Sequence, residues 1–254
     1  MVLKILIFPL LALFLSSGCS SDDGRPADDG PQGGSGGGSP QPEYADVSVV
    51  SFNIRVDNSA QDGANRWSER RAAAVNMLQR EKPIVMGLQE AQAHQITWLA
   101  RSCTDYAWYG LGRDTGTPPP ETDAYAREET MAIFWREAEA ELLDKGTFWL
   151  SETPGEVSKL PSADYRRTCT WGLFRLRATG TRFYFFNTHF DHIGPVARHK
   201  SAELLVARIR ETVGEKYPVF CSGDFNSGAG SDPVEVMLSA FSDAEAVSQT
   251  PPYT

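Results

Sequence analysis

Two apolar runs of strand length, 182–192 and 217–226, each end by presenting a cluster of polar side chains. The first reads Arg182-Phe-Tyr-Phe-Phe-Asn187-Thr-His189-Phe-Asp191-His192 and the second Tyr217-Pro-Val-Phe-Cys-Ser-Gly-Asp224-Phe-Asn226. A continuous apolar run fits a strand buried on both faces, and in open α/β sheets ligands bind at the carboxyl ends of such strands. Gly223 is expected to let the backbone come close to a ligand just before Asp224 and Asn226 are presented. The carboxylate suits a metal or a water, and the amide suits donation to a phosphoryl oxygen as negative charge grows on it. A tight turn favours Gly, Asp and Asn for conformational reasons alone, so neither run identifies a site by itself.

Two further runs have the same form. Val47-Ser-Val-Val-Ser-Phe52-Asn53-Ile-Arg55 ends on Asn53, and Ile84-Val-Met-Gly-Leu-Gln89-Glu90 ends on Glu90. The order Asn, Glu, His, Asp-x-Asn on successive strands resembles the endonuclease/exonuclease/phosphatase superfamily of metal-dependent phosphoesterases, and in detail its secreted bacterial branch. The resemblance runs from about Val47 to the last residue. It rests on Ser51-Phe-Asn53-Ile-Arg55, Leu88-Gln-Glu90, Glu129 ahead of Met131-Ala-Ile-Phe-Trp135, Arg167, Asn187-Thr-His189-Phe-Asp191-His192 and Ser222-Gly-Asp224-Phe-Asn226.

The resemblance implies a four-layer α/β/β/α sandwich, two mixed sheets flanked by helices. It implies Glu90 as the main ligand of Mg²⁺ or Mn²⁺ with Asn53 assisting, and Asp224 as the group that orients or activates the attacking water. His189 and Asn226 would hold the nonbridging oxygens, Glu129 would orient His189, and Arg167 would clamp phosphate, with neighbouring Arg166 the alternative. His192 is either a loop histidine, the reading favoured here, or a contact to the leaving group or a second metal. Relatives also supply a water-activating Asp and an Asp-His pair near their carboxyl terminus. This chain has only His94, His189, His192 and His199, and nothing after Asn226 reads Asp-His, so the last strands are expected to be missing. A catalytically dead binding domain of the same fold is therefore the alternative to an enzyme.

The pattern of the chain alone gives α/β. Strands are predicted near 46–54, 84–89, 106–111, 130–136, 146–150, 168–177, 182–189 and 217–223, and helices at 68–81, 91–102, 195–213 and 232–240. Pro195 and Pro233 mark helix starts, and Ala202, Leu205, Ile209 and Val213 form an apolar stripe. The loop 113–127, with three consecutive prolines, is long enough to overhang a cleft. Trp67, Trp108, Trp135 and Trp171 are expected in the core.

The amino-terminal segment reads differently. Residues 1–18 carry Lys4, the apolar stretch Ile5 to Leu15 and small residues before Cys19, the layout of a secretory signal peptide too short to span a bilayer. Cys19 resembles the acylated cysteine of bacterial lipoproteins, although Leu15 sits one position further away than usual, so cleavage without lipid is the alternative. Residues 19–43 form an acidic Gly/Ser/Pro-rich tether, and 44–254 the folded domain. The expected location is a periplasmic or cell-surface membrane anchor, with a monomer acting on a phosphate ester: nucleic acid, phospholipid headgroup or sugar phosphate. The chain's net charge of -9 gives no basic footprint for strong nonspecific binding to nucleic acid. Cys103, Cys169 and Cys221 allow one disulfide and one free thiol, or buried free thiols.

Overall fold

A computed structural model describes residues 45–248 and the backbone of Lys4–Ile7. Most of the expected signal peptide, the tether, Cys19 and residues 249–254 lie outside the described residues. Contacts divide the chain into a unit of 1–10 with 47–254 and a second unit of 11–46.

In chain order the elements are strand β1 (Lys4–Ile7), β2 (Val49–Asn53), helix α1 (Ser59–Asp62), α2 (Trp67–Glu81), β3 (Val85–Gln89), β4 (Ala91–Gln92), α3 (Ala93–Ser102), β5 (Tyr106–Tyr109), β6 (Glu129–Thr130) and β7 (Ile133–Arg136). There follow β8 (Ala140–Trp149), β9 (Thr168–Leu176), β10 (Arg182–His189), α4 (Pro195–Val213), β11 (Val219–Asp224), α5 (Asp232–Leu238) and β12 (Ser242–Asp243). Two mixed sheets result. One runs β12-β1-β11-β10-β9-β8 and the other β2-β3-β7-β5, each containing one parallel pair, β10 with β11 and β2 with β3.

The first sheet packs on α4 and α5 through Phe148, Phe186, Leu205, Ile209, Cys221 and Met237, and the second on α2 and α3 through Leu78, Met86, Leu88, Ile96, Leu99 and Phe134. The two sheets meet each other through β10, β11, β2 and β3, which gives the expected layering of helix, sheet, sheet, helix. The α4 stripe of Ala202, Leu205, Ile209 and Val213 is buried as its spacing predicts. Trp67 and Trp135 are buried, while Trp108 and Trp171 pack half-buried against the two cores.

The seam between the sheets is polar. Asn187, fully buried, accepts a hydrogen bond from Gln89 Nε2 at 2.6 Å and donates to the carbonyls of Leu88 (2.8 Å) and Ala132 (3.1 Å). A side chain at Gly87 would meet Asn187 Oδ1 at 2.5 Å, so glycine there is what lets the two sheets approach. Asn187 thus belongs to the seam rather than to the polar cluster at the strand end, where its sequence position pointed. Gly223 also has a structural reason: a Cβ on it would lie 2.5 Å from the Thr188 carbonyl of the adjacent strand, and this crowding replaces the expected approach of a ligand.

Besides the two-residue strands β4 and β12, three elements differ from the sequence prediction. Strand β8 starts at Ala140, six residues early, because a register shift between Leu142 and Asp144 lets a polar stretch pair along β9. Helix α1 is a single turn that periodicity could not show. The backbone of Lys4–Ile7, within the expected signal peptide, pairs antiparallel with β11, Lys4 opposite Gly223 and Ile7 opposite Phe220, and meets β12 on its other side. An apolar extended segment can satisfy the backbone groups of an otherwise open strand edge. Cys103, Cys169 and Cys221 are buried free thiols, and burial pushes all three above the ordinary thiol range. Among the described residues no helix is long and apolar enough to cross a membrane.

Candidate active site

The parallel pairs set Asn53 beside Gln89 and His189 beside Asp224, so both sheets deliver their carboxyl ends to one place. Asn53 joins the halves. Its Nδ2 donates to Glu90 Oε1 at 2.7 Å and to Asp224 Oδ2 at 3.0 Å, while its Oδ1 accepts the N–H of Arg55 at 2.9 Å. Glu90 Oε2 accepts the N–H of Val56 at 2.9 Å, and Asp224 Oδ1 accepts that of Asn226 at 3.0 Å. Of the four non-glycine residues with positive φ among the described residues, three belong here: Arg55 (62°), Glu90 (61°) and Asn226 (46°). Left-handed backbone outside glycine is uncommon and persists where its surroundings enforce it, as at functional sites.

Asn226 Nδ2 lies 2.9 Å from His189 Nε2 and also donates to the Phe190 carbonyl at 3.0 Å. His189 is buried, and its Nδ1 has no hydrogen-bond partner. Burial first, then the positive charges of Arg167 and Arg113, hold its pKa well below the ordinary histidine value, so the ring is neutral near pH 7.

Glu129 does not contact His189 as expected. It accepts a hydrogen bond from Arg113 Nη1 at 2.7 Å, because the 113–127 loop returns Arg113 to the site as a close ion-pair partner. Burial raises the Glu129 pKa, against the pull of Arg113 and Arg167. Arg167 is buried beside Asp191 (3.9 Å), and its Nη2 lies 3.1 Å from His192 Nδ1. Arg166 is more exposed and pairs with Asp114 at 3.2 Å, which leaves Arg167 as the guanidinium nearer the floor. Burial lowers the Arg167 pKa, and the charge of Arg113 adds to it.

His192 lies in the loop after β10, as read from the sequence, and it also lines the cleft and stacks on Tyr165, ring centres 5.6 Å apart. Asp191 is fully buried and structural, accepting N–H groups from Asp164, Tyr165, Ile193 and Gly194. Burial would raise its pKa, but the backbone donors of Gly194, Ile193 and Tyr165 together with Arg167 outweigh it, and the carboxyl sits below its ordinary range.

These side chains surround a cleft of about 1180 Å³ whose lining includes Glu90, Glu129, Arg167, His189 and Asn226. The two ends of the loop 113–127 line it, contributing Arg113, Asp114, Tyr125 and Arg127. Sequence reasoning missed Arg113, Tyr165, Asp57 and His94. Arg113 and Asp57 carried a signal, since each follows the end of a strand closely, as Asn53 and Glu90 end or follow theirs. Among the described residues no group of three or more His, Cys, Asp or Glu side chains is arranged to hold a metal ion. The donor set nonetheless suits Mg²⁺, which takes one or two protein carboxylates and completes its shell with water and substrate: the hydrogen bonds made to Glu90 come from the neutral amides of Asn53 and Val56.

The sequence profile of the Endonuclease/Exonuclease/phosphatase family matches residues 50–254. No curated protein sequence matches the chain significantly. Among solved structures, an endonuclease/exonuclease/phosphatase from Bacteroides vulgatus is 36% identical, covers 77% of this chain and 72% of its own, and superposes with a TM-score of 0.71. A mannosyl-6-phosphatase from Bacteroides thetaiotaomicron is 35% identical over 76% of this chain and 70% of its own, with a TM-score of 0.70. The catalytic domain of human Nocturnin, with a bound sulfate anion, shares the fold at 19% identity, covering 80% of this chain and 70% of its own, TM-score 0.59.

Proposed function

Because the chain belongs to the endonuclease/exonuclease/phosphatase family, we propose that it is a divalent-metal-dependent phosphoester hydrolase acting in this cleft, and that its substrates are phosphomonoesters. The observation that carries the reading is the convergence of Asn53, Glu90, His189, Asp224 and Asn226 from two separate sheets through hydrogen bonds, with Glu90, His189 and Asn226 lining the cleft itself. Glu90, with Asn53, would hold a Mg²⁺ or Mn²⁺ ion, which would supply neutralisation of charge on the phosphoryl group.

The protein's own groups do the rest. Asp224, fixed by Asn53 and by the Asn226 N–H, orients the attacking water toward phosphorus. Asn226 Nδ2 donates to His189 Nε2, so neutral His189 carries its proton on the partnerless Nδ1 and donates it to a nonbridging oxygen, whose charge grows as the new P–O bond forms and the bond to the alcohol breaks. The products are inorganic phosphate and the free alcohol. Arg113 and Arg167 favour a monoester over a diester: both are buried beside the site, both have an Nε with no hydrogen bond and only a long ion-pair contact, 3.8 Å to Asp114 and 3.9 Å to Asp191, and two guanidiniums suit a dianion with three free oxygens. The mannosyl-6-phosphatase relative is consistent with that choice. The amino-terminal sequence supports export and anchoring through acylated Cys19, a processing step that removes residues 1–18 and with them β1.

The test measures Mg²⁺ affinity calorimetrically and turnover of an aryl phosphomonoester, an aryl phosphodiester and plasmid DNA. Glu90→Gln should weaken Mg²⁺ binding and turnover together, with the monoester the best substrate. Activity that survives chelation would sink the assignment, and Mg²⁺ binding without any turnover would favour the catalytically dead binding domain.

A further inference from the structure

The cleft has a second wall that the hydrolytic set does not use. Asp57, four residues beyond β2, lines it. The Asp57 backbone N–H donates to Gln92 Oε1 at 2.8 Å, and its carboxylate Oδ2 lies 3.1 Å from His94 Nε2. His94 sits buried in the first turn of α3, and its other ring nitrogen, Nδ1, accepts the N–H of Ala126 at 3.4 Å. A neutral imidazole that accepts at Nδ1 carries its proton on Nε2, so His94 donates to Asp57 and fixes that carboxylate.

What is left over is Asp57 Oδ1, which is shielded from solvent and has no hydrogen-bond partner. A carboxylate oxygen only accepts, and a buried acceptor without a donor is costly, so a donor group that reaches the Asp57 carboxylate, 14 % exposed in the cleft wall, would be favoured. Around it the lining consists of the amides of Asn58 and Gln92 and the ring of Tyr125, whose centre is 5.6 Å from that of His94. A small number of fixed acceptors and amides beside an aromatic face orients a polar organic ligand. A metal ion would need further oxygen ligands in a group, and none is arranged here among the described residues.

We propose that Asp57, positioned by His94, accepts a hydrogen bond from a hydroxyl of the leaving group, so that the cleft selects phosphate esters of polyhydroxylated alcohols such as sugars. The proposal rests on the phosphoester reading of the same cleft. Asp57 is the substrate contact and His94 a positioning residue acting through it.

The test uses calorimetry with Mg²⁺ present, in an Asp224→Asn background that blocks turnover, with mannose 6-phosphate and inorganic phosphate as separate probes. The hexose phosphate should bind more tightly than phosphate. Asp57→Asn keeps the shape but turns the free acceptor into a donor, and should weaken the hexose phosphate about ten- to a hundredfold while leaving phosphate within about twofold. His94→Ala should lose the same increment, and His94→Gln, whose amide can still donate to Asp57, should recover part of it. With Asp224 intact, Asp57→Asn should raise KM for mannose 6-phosphate more than it lowers kcat and leave an aryl phosphate unaffected. Equal weakening of both probes, or a hexose phosphate that binds no better than phosphate, overturns the hydroxyl contact while sparing the hydrolase assignment. Failure of both probes to bind overturns the phosphoester reading and this proposal with it.

Discussion

Replacing Asn187 by Ala tests whether the polar seam holds the two halves of the site in register. The substitution removes the acceptor of Gln89 Nε2 and the donor to the carbonyls of Leu88 and Ala132, all within a fully buried region. Not every orphan is equal. Gln89 Nε2 keeps Ser51 Oγ at 3.1 Å, and the Ala132 carbonyl keeps the N–H of Leu88 at 2.8 Å, so the Leu88 carbonyl bears most of the loss. One orphaned buried acceptor, two weakened partners and a small cavity together cost about 2–4 kcal/mol. For a domain of this size that lowers Tm by about 5–15 °C. Because Gln89 precedes Glu90 and Asn187 lies two residues before His189, activity should fall even at temperatures where the variant remains folded. Asn187→Asp, which sets an acceptor against two carbonyls, should be at least as damaging. Thermal unfolding followed by circular dichroism, with aryl phosphate turnover at 20 °C below each Tm, reads both effects. A Tm within about 2 °C of wild type would refute the account of the seam, and full activity in a destabilised variant would refute its role in registering the site.

Asp224→Asn should leave the fold intact and cut turnover by about a hundredfold or more, checked by steady-state kinetics beside a melting curve. His189 makes stability pH-dependent. Its folded pKa lies below the unfolded value near 6.5, so its contribution is fully present above that pH and is lost as pH falls through the folded value; Tm should decline below about pH 6.5, and His189→Gln should flatten the decline. Raised Glu129 works in the opposite direction, which is why the comparison with His189→Gln, rather than the raw profile, is decisive. Cys19→Ala should move the protein from the membrane fraction to the soluble one without changing its melting curve, as read by fractionation and immunoblot; an unlipidated, soluble wild type would contradict the anchor.

Much of this protein was legible along the chain. The helix over 195–213 followed from Pro195 and a stripe at helical spacing, and the strands over 182–189 and 217–223 from unbroken apolar runs, because periodicity and start signals are written within a dozen residues. The same locality exposed Asn53, Glu90, His189, Asp224 and Asn226, each at or just beyond a strand end, where the sheet must release its side chains into one crevice. Tertiary structure alone decided which groups meet. Asn187 and His189, two residues apart on one strand, go to the seam and to the site respectively, since the facing sheet covers one and not the other. Glu129 pairs with Arg113 instead of His189, and Asp57 meets His94 from 37 residues away, because loops of unremarkable sequence line the cleft. Local sequence determines the shape of each element, but distances between elements come from packing two sheets and a loop against one another, and those contacts leave no periodic trace in the chain.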